Sequence, residues 1–290
     1  VAVVFLHAYA NPENELKVRR ILAREIPEAA IVASHEVDPT YREYERTSTT
    51  VVNSLLVPIV SRYLERLARR LTDQGIRAPL YIMQSSGGLA TVNMAMKIPA
   101  ATIESGPATG VTAAAEWGRW MNRETLLSFD MGGTTAKAGM VIGGVPQMVF
   151  EYEVAGTVHG GRLVKGSGYP VRYPFVDLAE VSGGGGTIAR LDEDGALKVG
   201  PLSAGADPGP VGYGKGGKEP TVTDADVVLG RLGPRSLSGG TLPLWPELAS
   251  RAIEERIARP LGMSLLEAAC GILEVGQAHM MRAIRLVSTD

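Results

Sequence analysis

Sulfur, aromatic rings, excess charge and long apolar runs are all scarce in this chain. Its one cysteine, Cys270, excludes an internal disulfide and a cysteine-rich zinc site. It falls in an apolar helical pattern and is expected to be a buried thiol. Aromatic residues make up only 6% of the 290 positions, too few for a platform on which bases stack. The net charge is −2, so no basic field exists for nucleic acid. No run of about 18 apolar residues is present, and the chain does not open on a charged-then-apolar signal segment. The expectation is a cytoplasmic protein without membrane or nucleic-acid partners.

Glycine, by contrast, is abundant. There are 35 glycines, above the usual share of about 7%, and they are clustered. The first hundred residues alternate apolar runs with helical periods. "VAVVFL" reads as a buried strand. "NPENELKVRRILAREI" follows with Asn11 as helix cap and Pro12 at the first helical position. Residues 41–73 carry a long helical period containing Pro58, and "APLYIMQ" returns as a strand. This alternation predicts an α/β layer. Residues 128–200 read mostly as strand, 201–220 are a Gly/Pro-rich loop, and Ser264 with Glu267 forms a capping box before a final helix. The division expected is 1–105 as one α/β segment and 106–290 as a second lobe. The apolar opening at Val1 and the ending soon after a helix suggest a piece of a longer chain.

Two phosphate-loop signatures nearly fit. "GPVGYGK" (209–215) is followed by Gly216 where Ser or Thr is needed, and "GYGKGG" (212–217) lacks the preceding strand and following helix. Both are decoys. "SFDMGGTTAKAGMV" (128–141) has better context: strand, glycine turn, strand. Gly132 and Gly133 let backbone N–H groups approach an anion, and the hydroxyls of Thr134 and Thr135 can donate to phosphate oxygens. Asp130 would repel phosphate unless a cation lies between them, which points to Mg²⁺ held largely through water. Lys137 can add a positive charge from the second strand. A plain two-glycine turn would use the same residues.

"VSGGGGTIA" (181–189) is a second cluster. Gly183, Gly184 and Gly185 suit a backbone passing close to a ligand or to another chain segment. Glu104 in "IESGPATG" stands before a helix and can position water or metal, or serve as a structural acid. His159 and Arg162, in a glycine-rich loop, are candidate substrate contacts, His159 as a base or simply as a surface histidine. Asp224 and Asp226 fit a helix start capped by Thr223.

In order and approximate spacing, "SHEVDPTYREYERTSTTVVNSLLVP", "MQSSGGL", "IESGPATG", "SFDMGGTTAKAGMV", "SGGGGTIARLD" and "VGPLSAGADPGPVGYGKGGKEPTVTDADVVLGRL" resemble the hydantoinase/oxoprolinase family. More narrowly, they resemble the A-type, ATP-using subunit of N-methylhydantoinase, 5-oxoprolinase, caprolactamase and acetone carboxylase. The resemblance implies a partial actin-like ATPase (ribonuclease H-like) α/β fold with mixed sheets and flanking helices. It implies ATP and Mg²⁺ as cofactors, with Asp130 as metal ligand and Asp130, Glu104 and His159 as the catalytic set. Gly132, Gly133, Thr134, Thr135, Lys137 and Gly183–Gly185 would bind nucleotide. Where the family often continues Thr-Ser-Thr-Asp after the second glycine, this chain has Thr134-Thr135-Ala136-Lys137, so the later acid is missing. A B-type partner subunit in a homo- or hetero-oligomer is implied, with a cyclic amide as substrate. A ketone carboxylase subunit and a non-catalytic nucleotide-binding assembly module are the alternatives.

Overall fold

The computed structural model describes residues 1–156, 166–233 and 236–289, with the backbone of 158–159 and 162–163 besides. The chain divides into two units. The first comprises Val1–Ser128, Gly139–His159 and Leu163–Asp177, and the second comprises Phe129–Ala138, Gly160–Arg162 and Leu178–Asp290.

The first unit opens with the predicted α/β alternation. Strand β1 (Ala2–Val3) pairs in parallel with β2 (Val32–Ala33), and helix α1 (Glu13–Glu25) makes the crossover. The helix starts one residue later than expected: Pro12 is the cap position, and Asn11 contributes by accepting the N–H of Glu13. Buried Glu15 ties these elements together. It accepts the N–H of Phe5 at 2.9 Å, the Ser34 hydroxyl at 2.5 Å and the N–H of His35 at 3.0 Å, and it pairs with His35 Nδ1 at 2.7 Å. Burial alone would raise its pKa. The hydrogen bonds from Ser34, His35 and Phe5 outweigh it and hold the carboxyl below its ordinary range.

Helix α2 (Glu43–Asp73) runs through a β-branched stretch that local preference would not favour. Thr49 and Thr50 return their hydroxyls to the carbonyls of Glu45 and Arg46, so they fit the helix without stranded donors. Buried Asn53 bonds Lys97 O and the N–H of Ala100, fixing α2 to the chain beyond it. An antiparallel pair follows, β3 (Tyr81–Met83) with β4 (Leu89–Thr91), and then helix α3 (Ser105–Met121). One apolar cluster of this unit gathers Ala100, Val171 and Phe175, and another gathers Leu64, Ala90 and Ala95.

The second unit holds the tip of a hairpin whose arms are β5 (Leu126–Met131) and β6 (Ala136–Ile142), with β7 (Leu178–Val181) beside β6. Strands β8 (Thr187–Leu191) and β9 (Leu197–Ser203) form an antiparallel pair. Helices α4 (Val222–Val228), α5 (Pro246–Ile253) and α6 (Leu265–Ser288) complete the unit. Its core joins Ala189 and Val199 from the strands to Val222, Ala225, Ile253, Ile257, Ala268 and Ile272. The Ser264–Glu267 capping box starts α6 as expected. Cys270, however, is exposed. It lies about 200° around the helix from Ala268, away from the face that Ala268, Ala269 and Ile272 bury. Among the described residues no helix is long and apolar enough to cross a membrane.

Candidate functional site

The two glycine clusters meet inside the second unit. Gly185 N donates to Gly132 O at 3.0 Å, and Gly186 N donates to Gly133 O at 2.6 Å. The approach is so close that a Cβ on Gly184 would lie 2.6 Å from Gly132 O, Gly133 C and Thr134 N. One on Gly186 would lie 2.8 Å from Gly133 O. Gly184 and Gly186 in "VSGGGGTIA" therefore serve chain-to-chain contact: they let one backbone lie on the tip of the hairpin.

This contact orients the tip. The peptides on either side of Gly133 are trans, so each carbonyl and the N–H of the next residue point in opposite directions. With Gly132 O and Gly133 O turned toward the second cluster, the N–H groups of Gly133 and Thr134 face the other way. Both residues are exposed, and among the described residues neither N–H makes a hydrogen bond. Adjacent outward N–H groups form a concavity suited to an anion. Among the described residues a Cβ built on Gly133 meets no atom within 4 Å, so their packing does not demand glycine there. A ligand lying on the backbone would.

The carboxylate of Asp130 is exposed at the end of β5, next to this tip. Thr134 Oγ1 lies 3.4 Å from Ser203 Oγ, and Thr135 O accepts the N–H of Gly132 at 2.9 Å. Lys137 points elsewhere: its Nζ lies 3.5 Å from Glu180 Oε2 on the neighbouring strand. Gly183 lies near His279 and Met280 of α6.

The support for the glycine cluster comes from α4. Thr223 N donates to Gly185 O at 2.7 Å. The cap of α4 is Thr221, not Thr223: its hydroxyl accepts the N–H of Asp224 in a reciprocal capping box. Asp224 does more than favour a helix start. It is fully buried, accepting Gly212 N at 2.7 Å, Val211 N at 3.2 Å, and the N–H and hydroxyl of Thr221, each at 2.8 Å. Burial pushes its carboxyl above the ordinary value, and the hydrogen bonds from Gly212, Thr221 and Val211 pull it partly back. The segment that mimicked a phosphate loop is thus a short 3₁₀ turn, Val211–Tyr213, pinned by a buried acid. No sequence motif marked this role of Asp224. The only signal was an acid three residues after a threonine.

Glu104 belongs to the first unit. It precedes α3 with a left-handed φ of 61°, a conformation uncommon outside glycine. The side chains of His159 and Arg162 lie outside the described residues. Among the described residues no cluster of three or more His, Cys, Asp or Glu is placed to hold a metal, so a cation at Asp130 would need other oxygen ligands, such as phosphate and water.

Residues 46–290 match the model of the hydantoinase/oxoprolinase family. The chain belongs to that family. It is 51% identical over its whole length to an uncharacterized protein of Methanocaldococcus jannaschii, of which it covers 42%. It is 37% identical over its whole length to caprolactamase subunit alpha of Pseudomonas jessenii, covering 40% of that protein. Among solved structures, nucleotide-free acetone carboxylase superposes with a TM-score of 0.80 at 28% identity, over 98% of this chain and 39% of the other. The chain thus spans about 40% of the length of these relatives. The acetone carboxylation and the caprolactamase of these solved relatives are both described as ATP-dependent. The mixed α/β architecture with short sheets is shared with them.

Proposed function

We propose that this chain is the phosphate-holding core of an ATP-dependent enzyme of actin-like fold that opens a cyclic amide of the hydantoin, 5-oxoproline or lactam type. The observation carrying the reading is the outward pair of N–H groups at Gly133 and Thr134, made possible by glycines 184–186 behind them. When bound, Mg·ATP supplies a phosphoryl group that turns a poor amide oxygen into a leaving group. The chain's own residues position and neutralise charge, which is most of what phosphoryl transfer requires of a protein. The N–H groups of Gly133 and Thr134 and the hydroxyls of Thr134 and Thr135 would donate hydrogen bonds to phosphate oxygens, and Asp130 would hold the cation. Glu104 and His159 would act on the reacting water or substrate.

Caprolactamase subunit alpha, at 37% identity, supports the amide substrate. Acetone carboxylase beta subunit of Xanthobacter autotrophicus, at 30% identity, keeps a ketone carboxylase subunit as the second reading. Both relatives are named as subunits, which supports a partner chain of the B type and a hetero-oligomer. The test is ADP release by the full-length protein with its partner subunit, given Mg·ATP and, separately, hydantoin, 5-oxoproline, caprolactam, or acetone with bicarbonate. ADP release stimulated by a cyclic amide supports the proposal. Stimulation by ketone and bicarbonate alone replaces it with the carboxylase. ATP binding without turnover on any substrate identifies an assembly module.

A further inference from the structure

Arg46, in the first turn of α2, is fully buried, yet no carboxylate neutralises it among the described residues. Its Nη1 donates to Thr40 O at 3.0 Å and its Nη2 to Phe5 O at 2.7 Å, and its guanidinium carbon lies 5.5 Å from the centroid of the Tyr9 ring. Its Nε is buried without a partner among the described residues. Two other sequestered cations of the chain are ion-paired: Arg172 takes Asp38 at 2.7 Å and Lys137 takes Glu180 at 3.5 Å. A buried cation lacking a countercharge is strongly unfavourable, and a stacked phenol offsets only part of that penalty.

The place of this cation in the fold is equally particular. The Phe5–Asn11 turn leaves the carboxyl end of β1, a strand of the parallel pair, where open α/β layers receive ligands. His7 in that turn has a φ of 57°, and its Nδ1 lies 3.3 Å from the Tyr9 hydroxyl. Tyr9 is 37% exposed while Arg46 is sealed, and the Tyr9 ring that lies over the guanidinium is itself open to solvent.

We propose that Arg46 is the floor of a small-carboxylate site, closed here by the ring of Tyr9. When Tyr9 rotates outward, the guanidinium beneath its ring is uncovered. A carboxylate there supplies both the countercharge and the acceptor that Nε–H lacks among the described residues. The space vacated is that of one phenol ring, so the acid is small, carrying a short chain or a single ring. His7 stands at the rim, able to donate a hydrogen bond to the bound acid. The site lies wholly in the first unit and does not depend on the nucleotide reading.

The experiment uses the full-length protein. Thermal unfolding and isothermal titration are run with sodium acetate, sodium benzoate and sodium phosphate, with sodium chloride holding the ionic strength constant. Acetate or benzoate should raise the unfolding temperature of the wild type, and R46M should lose that response. Y9A, with its cover removed, should bind the same acid about fivefold or more tightly, because the cost of opening is gone. An equal carboxylate response in wild type and R46M, or a response matched by phosphate or chloride, would overturn the site. Should R46M fail to fold, Y9A decides: folded Y9A that binds neither acid sinks the proposal.

Discussion

The carbonyl oxygen of Gly133 lies 2.6 Å from the amide nitrogen of Gly186, joining two glycine clusters more than fifty positions apart in the chain. Through trans peptide geometry, that contact turns the Gly133 and Thr134 N–H groups outward.

Substitutions at the two partners should therefore separate. Gly184→Ala places a Cβ 2.6 Å from hairpin backbone and should cost about 1–3 kcal/mol of stability as well as nucleotide binding. Gly133→Ala meets no atom of the described residues within 4 Å, and its φ lies outside the left-handed region, so its stability should stay within about 1 kcal/mol of wild type. Its ATP affinity should still fall about tenfold, since the added methyl occupies the phosphate's approach. Chemical denaturation beside ATP titration of the full-length protein reads both effects. Equal ATP affinity in Gly133→Ala and wild type would remove the phosphate from this tip.

Asp130→Ala should leave the unfolding midpoint almost unchanged, because the side chain is exposed. ATP turnover by the full-length enzyme should fall at least about 100-fold through loss of the cation's protein ligand. Undiminished ADP release would refute the assignment.

Asp224→Ala removes the acceptor for three backbone N–H groups and the Thr221 hydroxyl. The expected loss is about 2–4 kcal/mol, as those buried donors go unsatisfied. Hydrogen exchange should quicken first at Val211 and Gly212, and exchange there unchanged from wild type would contradict the anchoring role.

Glu15 sets an acid limb on stability. Its folded pKa is depressed, so its contribution is present above the ordinary value near 4.5 and is lost as pH falls through the lower folded value. Glu15→Gln should flatten that limb and cost about 2–4 kcal/mol at neutral pH, because an amide N–H₂ would face N–H and hydroxyl donors. Denaturation midpoints between pH 3 and pH 7, compared for the two proteins, measure it.

Much of the architecture was legible along the chain. The α/β alternation at the start, the long helix after residue 42, the hairpin at 128–141 and the capped final helix follow from periodicity, capping residues and turn chemistry, all of which act over a few positions. Exposure of Cys270 was not legible, because an apolar helical pattern does not say which of its faces finds a partner. Nor was the capping of α4 by Thr221, since Thr221 and Thr223 offer the same hydroxyl and only backbone direction distinguishes them.

By itself, the sequence determined the family, the hairpin with its paired glycines and threonines, and the rejection of the two false phosphate loops, because each depends on residue type at short spacing. Only the tertiary structure decided why glycines stand at 184–186, what buried Asp224 holds, and that Arg46 lies sealed without a countercharge among the described residues. Those three facts depend on which distant backbones approach to within hydrogen-bond distance, and chain order leaves that open until packing brings them together.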